Sequence, residues 1–168
     1  MTGAVRRATI DDVDAIARVH YASHVETYSG LFPEGVIEAN PAERRARMWT
    51  RIISEKLGDV WVAEVPTGGD GGRDTPEIVG FAGTGPPRDD DPPRDRELAS
   101  IYLLATHHGS GLGQALLDAA LGDGPASLWV LAENPRAIAF YRRNGFEPDG
   151  AEKLDENYGN VREIRMVR

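Results

Sequence analysis

The segment that most constrains this chain is a glycine-rich turn, His108-Gly109-Ser110-Gly111-Leu112-Gly113-Gln114. The apolar run Leu98–Leu104 before it reads as a strand. Behind it Leu112, Ala115, Leu116, Ala119 and Ala120 fall at i, i+3, i+4, i+7 and i+8, the stripe of an amphipathic helix. Glycines permit positive φ and let a ligand approach the backbone closely. The helix behind them offers unpaired N–H groups and the positive end of its dipole, a natural seat for phosphate. What the turn can hold depends on the rest of the chain.

Val5–Thr9 reads as a short strand, and Asp11 and Asp12 start a helix whose stripe is Val13, Ile16, Ala17 and His20. Asn40 is the expected N-cap of a second helix, with Pro41 at its first position, a stripe of Met48, Trp49, Ile52 and Ile53, and a stop at Gly58. Ser29–Asn40 between them is a loop. Val60–Val65 and Ile78–Thr84 read as strands. Thr67–Thr75 between them has no large apolar residue and is expected to be a mobile hairpin connection. Gly85–Arg96, with four prolines and the run Asp89–Asp91, is expected to be a solvated loop. After the glycine turn and its helix come a strand at Leu128–Leu131 and a helix capped by Asn134, begun by Pro135 and closed by Gly145. Terminal strands run from Phe146 and end in the alternating Val161–Val167. The order β-α-α-β-β-β-α-β-α-β-β predicts a mixed sheet with helices on both faces.

Composition narrows the partners. Nineteen basic against 27 acidic side chains leave a formal charge of −8, which argues against nucleic acid, because phosphate backbones require a basic face. The chain has no cysteine, so disulfides, thiolate metal sites, iron–sulfur clusters and a covalent cysteine intermediate are excluded. No apolar run approaches the roughly 18 residues of a membrane span, and Met1–Arg7 lacks the apolar stretch of a secretory signal. The expectation is a cytoplasmic protein of one domain, residues 1–168, with no metal. His20 and His24 stand at the i, i+4 spacing that suits a metal, yet no carboxylate or cysteine accompanies them at a diagnostic offset.

Three readings of the turn compete on the residues alone. A P-loop would need Lys-Ser/Thr after the last glycine, where Gln114-Ala115 stands. A dinucleotide site, and with it an oxidoreductase, is sustained by Glu133, 20 residues beyond Gly113, but the spacing is G-x-G-x-G and further βαβ units are lacking. A turn of purely structural use is the third reading.

Two motifs in order favour another answer. The segment from Ile101-Tyr102-Leu103 through His108–Gly113 to Ala115-Leu116-Leu117 resembles the acyl-CoA motif of the GNAT acetyltransferases, Gln/Arg-x-x-Gly-x-Gly/Ala. Some twenty residues on, Asn134-Pro135-Arg136-Ala137-Ile138-Ala139-Phe140-Tyr141-Arg142-Arg143-Asn144-Gly145-Phe146 resembles that family's Asn, helix, Tyr and Gly-Phe. The close match spans residues 97–146, and Tyr28-x-Gly30-Leu31 and Trp49 are loosely similar to small bacterial members. The resemblance implies a GNAT-like α/β fold, a mostly antiparallel mixed sheet of about seven strands flanked by about four helices. It implies acetyl-CoA as cosubstrate, direct transfer in a ternary complex to a small-molecule amine or a peptide amino terminus, and a homodimer. A CoA-binding regulatory module without catalysis is the alternative.

By the same resemblance, Leu103, Leu104, Ala105, His108, Gly109, Ser110, Gly111, Leu112, Gly113, Gln114, Asn134, Ala137 and Tyr141 bind the cofactor. The backbone of Leu103 polarises the thioester carbonyl, and Tyr141 protonates the departing thiolate. His108 occupies the family's Gln/Arg position, which implies a weaker seat or one that depends on imidazole protonation. Arg136, Arg142 or Arg143 would stand near the polyanion. Tyr28, Phe32 and Trp49, with Tyr158, would wall the acceptor side, as would His20 and His24, although each aromatic could be ordinary core. Glu97 opens the strand and alternates with Ala99, Ile101 and Leu103; it is the candidate general base for an amine that starts as ammonium. Tyr102 points away from Leu103 by strand alternation and is read as packing.

Overall fold

The computed structural model describes residues 3–68 and 75–168. Its order is β1 (Ala4–Arg7), α1 (Val13–Tyr28), α2 (Ala42–Ser54), β2 (Asp59–Val65), β3 (Glu77–Gly85), β4 (Glu97–Leu103), α3 (Leu112–Leu121), β5 (Ser127–Leu131), α4 (Pro135–Arg143), β6 (Glu147–Asp155) and β7 (Val161–Val167). This is the order expected from the sequence. Of the anticipated hairpin connection Thr67–Thr75, residues 69–74 lie outside the described residues. No helix among the described residues is long and apolar enough to cross a membrane.

The seven strands lie in the order β1-β2-β3-β4-β5-β7-β6. Every neighbouring pair is antiparallel except β4 and β5, which are parallel and share one register pair, Glu97 with Ser127. Beyond that pair the two strands part, and a gap opens in the sheet toward Leu103 and Leu131.

Alternation along each strand divides the side chains between two helical layers. Val60, Val62 and Phe81 pack with Val13, Ile16, Ala17 and Trp49, so α1 and α2 cover one face of β2–β4. Ala63, Val79 and Ala82 pack with Leu112, Leu116 and Ala120, which puts α3 on the other face. A third cluster joins Leu117 and Leu121 of α3 to Tyr141, Phe146, Leu128, Val130 and Met166, setting α4 beside α3. Gln114 ties the pair by donating to Asn144 Oδ1 at 2.7 Å. On β5 and β7, Trp129, Glu163 and Arg165 alternate with Leu128, Val130, Ile164 and Met166 and point away from α3 and α4.

Two boundaries differ from the sequence expectation. Pro41 rather than Asn40 is the N-cap of α2. Gly58 does not stop that helix, which ends at Ser54 with Glu55 as its C-cap and Lys56 at a φ of 53°. A Cβ at Gly58 would stand 2.3 Å from the Thr84 carbonyl oxygen, so glycine is needed for the close approach of β3. The stripe of α2 also holds a residue that hydrophobic periodicity passes over: Arg45, one turn before Trp49, is fully buried.

Candidate active site

The gap between β4 and β5 continues into a cleft of about 1000 Å³. Its floor and one wall are backbone. The amide of Leu104 donates to Val79 on the β3 side, so the Leu103 N–H points to the opposite edge, where β5 has already diverged. No acceptor among the described residues meets that N–H, which leaves it for an oxygen in the gap. In the glycine turn, His108 and Ser110 donate to Ala105 and His107, and Leu112 donates to Ser110 Oγ at 3.3 Å. The amides of Gly109, Gly111, Gly113 and Gln114 have no acceptor among the described residues. Gly109 and Gly111 have φ of 80° and 87°, values that L side chains rarely adopt. The result is a nest of convergent N–H donors at the start of α3, suited to a polyphosphate.

Most of the expected cofactor residues come together here. Leu103, Ala105, His108, Gly109, Gly111, Gly113, Gln114, Asn134, Ala137 and Tyr141 all line the cleft, as do Arg136 and Arg143. Leu104, Ser110 and Leu112 stand behind it: Leu104 is bonded to β3, Ser110 caps the first turn, and the Leu112 side chain joins the core under α3. Asn134 caps α4 as expected, its Oδ1 accepting from Ala137 N at 3.2 Å. Arg142 turns to Glu147, 3.6 Å away. His108 uses Nε2 to donate to the Leu103 carbonyl at 2.9 Å, since a carbonyl can only accept. It thereby ties the turn to the end of β4.

Tyr141 is buried in the α4 cluster, but its hydroxyl opens on the cleft and bonds to no described residue. Burial raises the phenol well above its ordinary value, with a smaller contribution from Tyr28, so it stays protonated at neutral pH.

Glu97 is not brought to this place. It is 1% exposed at the closed end of the gap, where Arg88 N and Nε donate to its two carboxylate oxygens at 3.0 and 2.7 Å. Fixed in that pair, it does not line the cleft. Three carboxylates do line it among the described residues: Glu26, which accepts from the Ala105 amide at 2.9 Å, Asp155, which accepts from the Asn157 amide at 2.9 Å, and Glu163 on β7, opposite Leu131. Burial raises its pKa; Lys153, 3.6 Å away, opposes the shift. Glu163 belongs to a strand that reads as plain terminal alternation, so only the pairing of β7 with β5 reveals its place.

Tyr28 and Trp49 line the acceptor side, whereas Phe32 stands behind, stacked on Tyr28 at 4.5 Å and on Tyr158 at 5.0 Å. His20 and His24 line it too. Trp49 Nε1 donates to His20 Nδ1 at 3.1 Å. Burial lowers His20 well below the usual imidazole value and His24 to about 3, so both are neutral. Tyr102, expected to be packing, faces the cleft and bonds to His24 and Tyr28. Asp89, expected to be solvated, accepts from Trp129 Nε1 at 3.1 Å and pairs with Arg165 at 3.1 Å. Tyr102 still packs against the core under α1 and α2, with its hydroxyl turned to α1, whereas Asp89 is drawn onto the outward face of β5 and β7. Glu133, the acid of the dinucleotide reading, is exposed and outside the cleft lining.

Comparison with known proteins agrees with this geometry. The acetyltransferase (GNAT) family model matches residues 27–146. The uncharacterized N-acetyltransferase YuaI of Bacillus subtilis is 33% identical over 96% of this chain and 87% of its own length. Among solved structures, the PaiA N-acetyltransferase of Thermoplasma acidophilum in complex with coenzyme A superposes with a TM-score of 0.66 at 21% identity, covering 98% of both chains. A ribosomal-protein-alanine N-acetyltransferase from Brucella melitensis gives 0.66 at 23%, again over 98% of both. A family match that spans the cleft-forming strands and turn, joined to a relative matched over nearly the whole chain, places this protein in the GNAT family of acetyltransferases.

Proposed function

We propose that the chain acts as one catalytic domain that transfers an acetyl group from acetyl-CoA directly to a primary amine. The observation that carries this reading is the gap between β4 and β5, with unpaired amides along one edge and an unbonded, protonated Tyr141 facing it. When bound, acetyl-CoA supplies an activated acetyl thioester. The amides of Gly109, Gly111, Gly113 and Gln114 hold the pyrophosphate, with Arg136 and Arg143 beside them. The Leu103 N–H donates to the carbonyl oxygen as negative charge develops there. Tyr141 gives its proton to the leaving sulfur. Glu163, raised by burial, takes the proton that the ammonium must lose before it can attack. With no cysteine in the chain, no acetyl-cysteine intermediate can form.

A panel of amines assayed by release of free CoA thiol tests the reading, and thermal shift with acetyl-CoA tests cofactor binding separately. Acetyl-CoA is expected to stabilise the protein and at least one amine to be turned over. With such an amine, Glu163→Gln is expected to lower kcat/KM about 100-fold at neutral pH and to abolish the acidic limb of the pH–rate profile. An unchanged profile removes Glu163 from the reaction.

A further inference from the structure

Behind the acceptor side stands a polar cluster that the transfer reaction does not use. Arg45 is fully buried, and no carboxylate among the described residues lies within ion-pair distance of it. Its Nε donates to the Asn40 carbonyl at 2.8 Å, its Nη2 lies 3.3 Å from His24 Nδ1, and its Nη1 has no hydrogen-bond partner among the described residues. His24 Nε2 lies 3.1 Å from Tyr102 Oη, and Tyr102 Oη lies 3.3 Å from Tyr28 Oη.

The direction of this chain follows from donor counting. A guanidinium has donors and no acceptor. His24 Nδ1 must therefore accept, the ring proton must sit on Nε2, and Nε2–H must donate to Tyr102. The two phenols then own two protons, of which only one can lie between them. No other described residue accepts from either hydroxyl. Whichever tyrosine donates to the other, one phenolic proton is left over, and both tyrosines line the cleft. His24 is neutral at physiological pH and burial keeps both phenols protonated, so the donor persists.

We propose that the chain Arg45–His24–Tyr102–Tyr28 holds a carboxylate or carbonyl oxygen of the acceptor. The acceptor is then an amine with such an oxygen close by, as in an amino acid or a peptide amino terminus. A plain alkylamine would bury the surplus donor without a partner, the situation against which polar sites discriminate most strongly. Arg45 at the far end, a cation over the Tyr21 ring with no carboxylate beside it among the described residues, favours an oxygen carrying negative charge, and Glu163, whose charge reaches Tyr28, opposes it. This inference rests on the acetyl transfer proposed above.

The test uses matched triplets with acetyl-CoA: an amino acid, its primary amide and the alkylamine left by removing its carboxyl group, over a range of side chains. The acid or the amide is expected to exceed the alkylamine in kcat/KM by about 10- to 100-fold. Acid above amide assigns a carboxylate, and the reverse a carbonyl. The preference is expected to collapse to within a few-fold in Tyr28→Phe or Tyr102→Phe. Equal use of the alkylamine, a preference that survives both variants, or no turnover of any triplet would each overturn the proposal. Thermal stabilisation by acetyl-CoA on the same samples separates the two readings: a stabilised but inert enzyme loses only this inference, and an unstabilised one loses the function as well. Nitrogen-15 spectra give a readout without substrate. His24 is expected as the neutral Nε2–H tautomer, and the Nδ1–H form would break the chain at its second link.

Discussion

The two sides of the cleft are built from different material. On the proposed cofactor side the groups that face the cleft are main-chain amides: Leu103 at the parted strand edge and Gly109, Gly111, Gly113 and Gln114 in the turn. On the proposed acceptor side the lining is made of side chains from α1, α2, β4 and β7, among them His24, Tyr28, Tyr102 and Glu163. Amides carry no titratable proton and need only the right φ and open space. The side-chain wall depends instead on burial, tautomer and charge. One side is therefore expected to tolerate many sequences and changes in pH, and the other to carry both specificity and acid sensitivity.

The largest expected effect is on stability. His20 and His24 are neutral in the folded state with depressed pKa values, while in the unfolded chain they titrate near 6.5. Below pH ~6.5 the unfolded state binds more protons, so their contribution is complete above that pH and is lost as pH falls toward the folded values. Each imidazole then costs about 1.4 kcal/mol per pH unit. Glu163, shifted upward by burial, has the opposite sign over part of the range, so urea melts at pH 7, 6 and 5 belong in a Glu163→Gln background. A flat profile would mean that the acceptor wall is wetter than its packing indicates and would erase the contrast.

Next is Tyr141→Phe, expected to lower kcat about 100-fold with no change in acetyl-CoA affinity by calorimetry. Unaltered turnover would move the proton source into solvent. Gly111→Ala should act on the other side alone. Its Cβ meets open space, but φ of 87° imposes strain of about 1–2 kcal/mol, so acetyl-CoA should bind about 10-fold more weakly while amine preference stays fixed. The smallest effect is expected of His108→Ala, which removes one hydrogen bond to Leu103, about 1 kcal/mol, and should weaken acetyl-CoA a few-fold. A larger loss would give the imidazole a direct part in cofactor binding.

The same contrast governs what could be read from the chain. The glycine turn, the Asn134 cap and Pro135 are local signals, because a positive φ or a helix start is set by the residue and its neighbours. They carry the turn, the helix start and the order of elements. The acceptor side is made by contacts distant in sequence. Glu163 is 32 residues from Leu131, its partner across the sheet, and His24 is 78 from Tyr102. Glu97 was misplaced for the same reason: alternation gives its face, but only the arrival of Arg88 from the preceding loop shows that its oxygens are taken. Arg45 was invisible because a helix stripe is recognised by apolar residues, and this one buries a cation.

The single rung between Glu97 and Ser127 also has a mechanical meaning. Four strands on one side and three on the other meet at one hydrogen-bonded step, so the sheet is two plates joined by a short hinge. A molecule lying in the gap and bonding to both edges would act as a splint. Its binding energy would add to the cohesion of the whole domain, by RT ln(1 + [L]/Kd) for ligand concentration [L]. The empty enzyme should then breathe along this hinge, with amides on the facing edges of β4 and β5 exchanging faster than those of β2 and β3, and saturation should draw the two rates together.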